Sequence, residues 1–134
     1  MTQTIIPTMR YEDAPRMLAW LCDAFGFERR MAVPAKDGGV ITHAELTLDG
    51  SMIMIGSTRD DHLSAYLTSA RAVGKCTQSA YVIVRDTKAH YERAKAAGAQ
   101  IVIELHEEGY GGWGYGALDP EGQLWYFGNY DPFA

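Results

Sequence analysis

Residues 11–27, YEDAPRMLAWLCDAFGF, contain a helix together with the signals for both of its ends. Asp13 is placed to cap the first turn, with Pro15 just inside it where a missing N–H costs nothing. Met17, Leu18, Leu21, Cys22 and Phe25 follow at helical spacing along one face, and Gly26 supplies the stop. Residues 86–98, DTKAHYERAKAAG, repeat the plan, with Asp86 opening a helix and Gly98 closing it. The two Asp-to-Gly intervals are 13 and 12 residues, and the copies start 73 residues apart (86 − 13).

The flanks repeat as well. Thr4–Tyr11 precedes the first helix as a short strand, and Glu28–Pro34, the alternating THAELTL and SMIMIG follow it, the last two joined by an Asp49-Gly50 hairpin turn. QSAYVIV precedes the second helix, and QIVIE, YGALD and LWYFGN follow it. Each half therefore predicts a βαβββ unit, and the chain predicts an α+β fold built as an internal duplication: residues 1–56, a linker at 57–77, and residues 78–134 in one domain. The linker carries the charged run Arg59-Asp60-Asp61-His62, with one helical turn expected around Leu63–Ala72.

Composition narrows the function classes. A chain of 134 residues is long enough for one core without staples, and two cysteines, Cys22 and Cys76, do not make a disulfide framework. The net charge of −5 argues against a nucleic-acid backbone as partner and suits a cationic or neutral small molecule. No apolar run is long enough to span a membrane. The stretch MTQTIIPTMRYEDAP lacks the pattern of a secretion signal, so a cytoplasmic setting is the expectation.

The paired βαβββ plan, the RYEDAPRMLAWLCDAFGFE segment at 10–28 and the DPEGQLWYFGNY ending at 119–130 resemble the vicinal-oxygen-chelate superfamily. That superfamily includes glyoxalase I, bleomycin-resistance proteins and extradiol dioxygenases, and the match is to the glyoxalase-like branch. The resemblance implies curled half-barrel sheets with helices on the convex side and a cavity shared between halves, often across a homodimer. It also implies a divalent metal held by His, Glu or Gln from the first and last strands of each unit. Aligned on the repeat, those positions fall on Pro7, Met54, Gln78 and Tyr126, which offer one weak oxygen donor in Gln78. The expectation is therefore a small-molecule-binding homodimer with no metal and no other cofactor.

Parity along the strands extends the inward face to Ile5, Met9, Met52, Ala80, Val82 and Leu124, and sets Ala44, Leu46, Leu48, Ile53, Ile55, Tyr81, Ile83, Trp125 and Phe127 against the helices. The candidate ligand-binding residues are Met9, His43, Met52, Met54, Gln78, Trp113, Tyr115 and Tyr126. Tyr126 and Glu45 are the catalytic candidates if there is turnover, as a lyase, isomerase or dioxygenase-type enzyme with a rebuilt or metal-free site. His62, His106, Glu104, Glu107 and Glu108 read as solvated groups. The stretch GYGGWGYG at 109–116 matches G-x-G-x-x-G but runs into a strand rather than a helix, so it predicts an aromatic loop closed by Trp113 rather than a phosphate cradle.

Overall fold

The computed structural model describes residues 3–35 and 39–134. The first half comprises β1 (Thr8–Tyr11), α1 (Ala14–Phe25), β2 (Glu28–Pro34), β3 (Ile41–Leu48) and β4 (Ser51–Ser57). After a short α2 (Ala70–Val73), the second half comprises β5 (Ala80–Ile83), α3 (Thr87–Ala96), β6 (Gln100–Glu107), β7 (Trp113–Leu118) and β8 (Leu124–Gly128). The strands form two four-stranded sheets with the same order, β1-β4-β3-β2 and β5-β8-β7-β6, in which the first strand of each unit lies parallel to the last.

Local chemistry explains the element ends. The Asp13 carboxylate accepts from the Arg16 N–H and that of Asp86 from the Ala89 N–H, so both helices start on an aspartate cap. Gly26, at φ +85°, closes α1 by donating its N–H to the Cys22 carbonyl. Asp49 and Gly50 both take positive φ, the mirror-image turn whose twist matches a two-residue hairpin.

One core serves both halves. α1 buries Ala14, Met17, Leu18, Leu21, Ala24 and Phe25, and it lies against β1 to β4 of the first sheet. Phe25 also packs on Trp125 and Phe127 of the second sheet, at ring distances of 5.5 and 4.6 Å. His90 of α3 sits in the same cluster, 4.3 Å from the Phe127 ring. Each sheet thus presents one face to a shared interior and turns its other face away from it.

The 119–122 turn joins the halves by hydrogen bonds. The buried Asp119 carboxylate accepts from the Tyr11 hydroxyl at 2.6 Å and from the Trp125 indole at 3.1 Å. Burial pushes the Asp119 carboxyl above its ordinary pKa against the pull of these donors, and pushes the Tyr11 hydroxyl well up. The Glu121 carboxylate, 2% exposed, accepts the backbone N–H groups of Glu12 at 2.6 Å and Asp13 at 2.7 Å, at the N-terminus of α1.

The structure corrects several expectations. β1 begins at Thr8 rather than Thr4. In β1 and β5 the facing is opposite to that predicted: Met9 is in register with Ile55, and Ala80 and Val82 with Trp125 and Phe127, so these three pack against the core. Tyr81 and Ile83 align with Tyr126 and Gly128 on the outer face, and are 42% and 39% exposed. A slip of one residue moves every side chain of a strand to the other face. The stretch between the units is more than a connector. Asp61 pairs with the buried Arg10 at 2.7 Å, which holds its carboxyl down at about 2, and Ser69 bridges to β1 while its hydroxyl donates to Glu12.

Two stability outcomes follow from this packing. Glu121→Ala removes both acceptors at the start of α1 and is expected to cost about 3 kcal/mol in urea unfolding with the slope unchanged. His90 accepts from the Tyr115 hydroxyl at 2.5 Å and donates to the Phe25 carbonyl at 2.8 Å, and burial holds its pKa below the ordinary imidazole value. The unfolded chain then binds the proton more readily, so this contribution is complete above about pH 6.5 and is lost as pH falls toward the folded pKa. Unfolding measured at pH 8 and pH 5.5 should show that loss, and His90→Gln should shrink it.

Candidate functional site

The outward faces of the two sheets carry the candidate polar groups. On the first sheet Glu45 is in register with Met54 and Thr47 with Met52, which places Met52, Met54, Glu45 and His43 together, as the sequence predicts. The Glu45 carboxylate takes Nε2 of His43 at 2.9 Å and Nε of Arg30 at 3.1 Å. The His43 hydrogen bond is the main reason its carboxyl titrates below the ordinary value.

On the second sheet Tyr126 faces outward from β8, in register with Gly116 of β7 and Tyr81 of β5. Its hydroxyl donates to Glu108 Oε1 at 2.7 Å and lies 3.4 Å from Nε2 of His106, which is itself 3.1 Å from Glu108. Burial and then the Glu108 hydrogen bond raise the Tyr126 pKa strongly. A hydrogen bond from His106 Nδ1 to the Glu104 carbonyl, with the Glu108 charge adding to it, raises the His106 pKa. Tyr110 extends the group, its pKa raised by burial and then by the Glu108 charge, and its ring lies 4.8 Å from Tyr130.

His106 and Glu108 are the residues that sequence reasoning missed. Two register shifts in β6 bring His106 opposite Gly114 on the outward face. The glycines make the room. A Cβ on Gly114 would stand 2.5 Å from Glu108 Oε1, and one on Gly128 would stand 2.8 Å from the Tyr81 hydroxyl. A sheet floor without side chains lets Glu108 and two tyrosines lie flat over it.

Four predicted binding residues lie elsewhere. Tyr115 is fully buried, in register with Phe127 and stacked on it at 5.2 Å. Trp113 has the same parity as Tyr115 and lies under Nζ of Lys88 of α3, 4.1 Å from the ring centre, so it belongs to the helix side and does not close the outward face. Met9 packs toward the core, yet with Gln78 it also borders a cavity of about 700 Å³ between β1, β5, the β7–β8 turn and the 66–77 segment.

The donors do not fit the metal that the resemblance implies. Register puts Thr8 beside Met54 and Tyr81 beside Tyr126, so these residues stand at the paired outward positions of the first and last strands rather than Pro7 and Gln78. A thioether, a neutral hydroxyl and two phenols with raised pKa values are poor ligands for a hard divalent ion. Among the described residues no group of three or more His, Cys, Asp or Glu is arranged to hold one.

Comparison with known proteins agrees with this architecture. The family described as the Glyoxalase/Bleomycin resistance protein/Dioxygenase superfamily matches residues 5–127. An uncharacterized protein of Mycobacterium bovis is 28% identical over 123 residues, covering 91% of this chain and 80% of its own. The crystal structure of TioX from Micromonospora sp. ML1 superposes with a TM-score of 0.73 at 30% identity, covering 94% of this chain and 97% of that one. Fosfomycin resistance protein FosX from Listeria monocytogenes, solved with Mn(II) and a dihydroxypropylphosphonic acid, has a TM-score of 0.69 at 12% identity, covering 98% of this chain and 93% of its own; that likeness is one of fold.

The His106–Glu108 pair gives a direct test of the site geometry. In an NMR titration His106 should lose its proton above the ordinary imidazole value, and Glu108→Gln should lower that midpoint. The sign follows from the pair: a raised folded pKa stabilises the protein below the unfolded value and stops doing so as pH rises through the folded one.

Proposed function

The chain belongs to the Glyoxalase/Bleomycin resistance protein/Dioxygenase superfamily, and from that premise we propose that it binds a small cationic or aromatic molecule on the outward faces of its sheets, as a homodimer. The observation that carries this reading is the exposure of apolar side chains on those faces. Met31, Val33, Tyr81 and Ile103 are each between 39% and 42% exposed. Apolar surface interspersed with a few fixed polar groups is the makeup of a ligand site, and it favours being covered. A second copy, laying one face over the other, would enclose a ligand between the Glu45 and Glu108 groups.

The reading is metal-free because the paired strand positions hold poor metal donors, and purified protein should then carry less than about 0.1 equivalent of transition metal. Free thiols at Cys22 and Cys76 suit a reducing, cytoplasmic setting. Among the described residues no helix is long and apolar enough to cross a membrane.

A second reading, a metal-free lyase or isomerase, is favoured by the Tyr126 hydroxyl set between a carboxylate and an imidazole. That arrangement relays a proton, with Tyr126 as acid toward a bound substrate. Turnover lost in Tyr126→Phe while binding persists would select it over simple binding.

Light scattering and calorimetry test the main reading. The protein should run as a dimer and bind members of a panel of cationic and aromatic metabolites. Met54→Lys should weaken that binding at least about tenfold, while stability changes by no more than about 0.5 kcal/mol, as for a surface substitution. A monomer that binds nothing on the panel would overturn it.

A further inference from the structure

Glu108 lies among four tyrosines. Tyr126 hydrogen-bonds to its carboxylate, Tyr110 is near enough for the Glu108 charge to raise its pKa, Tyr81 lies 6.1 Å from Tyr126 ring to ring, and the Tyr130 ring lies tilted 4.8 Å from that of Tyr110 while its carbonyl accepts from the Tyr81 hydroxyl at 2.7 Å. Its side chain keeps 15% of its surface open to the outward face. Resting on the ligand-binding reading above, we propose that this cluster is a cage for an organic cation, an ammonium or amidinium group attached to an apolar or aromatic body. The cation would sit between the Glu108 carboxylate and the faces of Tyr81, Tyr110 and Tyr126.

Three observations support it. A phenol that donates to a carboxylate, as Tyr126 does, has an electron-rich ring, and burial raises the pKa values of Tyr81, Tyr110 and Tyr126 with the Glu108 charge adding to each, as expected where the local potential is negative. Glu45 on the first sheet differs, because a guanidinium, that of Arg30, already pairs with it. The glycine at 114 is needed by this cluster in particular, since a Cβ there would strike Glu108 and crowd Tyr126; one at 128 would strike Tyr81 and also the Trp113 carbonyl.

The cage also has a proton-dependent occupant of its own. Among the described residues, the basic group that reaches Glu108 is His106, from β6. The other groups facing Glu108 are the phenols of Tyr126 from β8, Tyr110 from the turn and Tyr81 from β5, none of which ionises near neutral pH. Lys88 approaches the same hairpin over Trp113 from the helix side, and Glu104 is engaged by the Tyr91 hydroxyl. A protonated His106 therefore competes with the ligand cation for one carboxylate.

The test uses the intact protein and two probes of equal shape, 4-hydroxybenzyltrimethylammonium and uncharged 4-neopentylphenol, titrated by NMR. The cation should bind at least about tenfold tighter, the usual order for a desolvated cation on aromatic rings beside a carboxylate. Its affinity should rise between pH 5.5 and 8 as His106 loses its proton, and His106→Gln should flatten that rise. Glu108→Gln should erase the preference for the cation. Tyr81→Leu, which leaves the hydrogen bonds to Glu108 in place, should reduce it several-fold, with thermal unfolding reporting that both variants are folded. Equal binding of the two probes, or a preference that survives in Glu108→Gln, overturns the cage and leaves the binding reading standing. Failure of both probes to bind overturns the two together.

Discussion

The structure depends on two buried carboxylates in one tight turn. Asp119 and Glu121 belong to the second unit, yet each accepts hydrogen bonds from the first: from the Tyr11 hydroxyl, and from the backbone N–H groups of Glu12 and Asp13. Burying a carboxylate is costly unless donors surround it, and here each is met by at least two. The start of α1 supplies N–H groups that would otherwise lack partners, so the contact satisfies both sides. It fixes where α1 begins relative to β8, and therefore brings Phe25 and Phe27 onto Trp125. The DPEG motif is thus structural: it holds the two units against each other without using their outward faces.

The duplication was legible because its signals are local. An aspartate cap, a proline in the first turn and a glycine stop each act within a few residues of chain, and they recur in both units. The alternation of β3 and β4 was legible too, since eight and seven residues of period-2 pattern leave one consistent facing, and His43, Glu45, Met52 and Met54 fell where expected. β5 is four residues long and apolar on both sides, so it carries no alternation to read; β1, TMRY, does alternate, but counting it from Pro7 as a cavity-facing position puts Met9 on the wrong face, and both facings are set by parallel pairing with β4 and β8. Met9, Ala80, Val82, Tyr81 and Ile83 were misplaced for these reasons.

The His106–Glu108–Tyr126 group was hidden by a different cause. Two register shifts in β6 break the period of 2, so counting along LHEE from the regular part of the strand gives no reliable facing for His106. A short tract of charged residues beside a glycine-rich turn then reads as solvated. The same turn drew attention to its aromatic residues, and register sorts those: Trp113 and Tyr115 share the parity of Phe127 and go inward, whereas Tyr110 stays out with 63% exposure.

The glycines of GYGGWGYG therefore serve two different needs. Gly111 and Gly112 take φ values of +97° and +81°, which the turn requires and which side chains resist. Gly114 has ordinary backbone angles and is needed for space, because Glu108 and Tyr126 occupy what would be its side-chain volume. A strand glycine weakens a sheet, having nothing to pack and more entropy to lose. Accepting that weakness at the point where a carboxylate, an imidazole and a phenol converge is hard to account for by stability alone. The first sheet shows the comparison within one chain: its His43–Glu45 pair is bound by Arg30 and lies beside methionines, with no glycine cleared beneath Glu45. Two outward faces with the same His-x-Glu arrangement thus differ in charge balance and in floor: Glu45 is paired with a guanidinium over methionines, whereas Glu108 meets a phenol and an imidazole over a glycine.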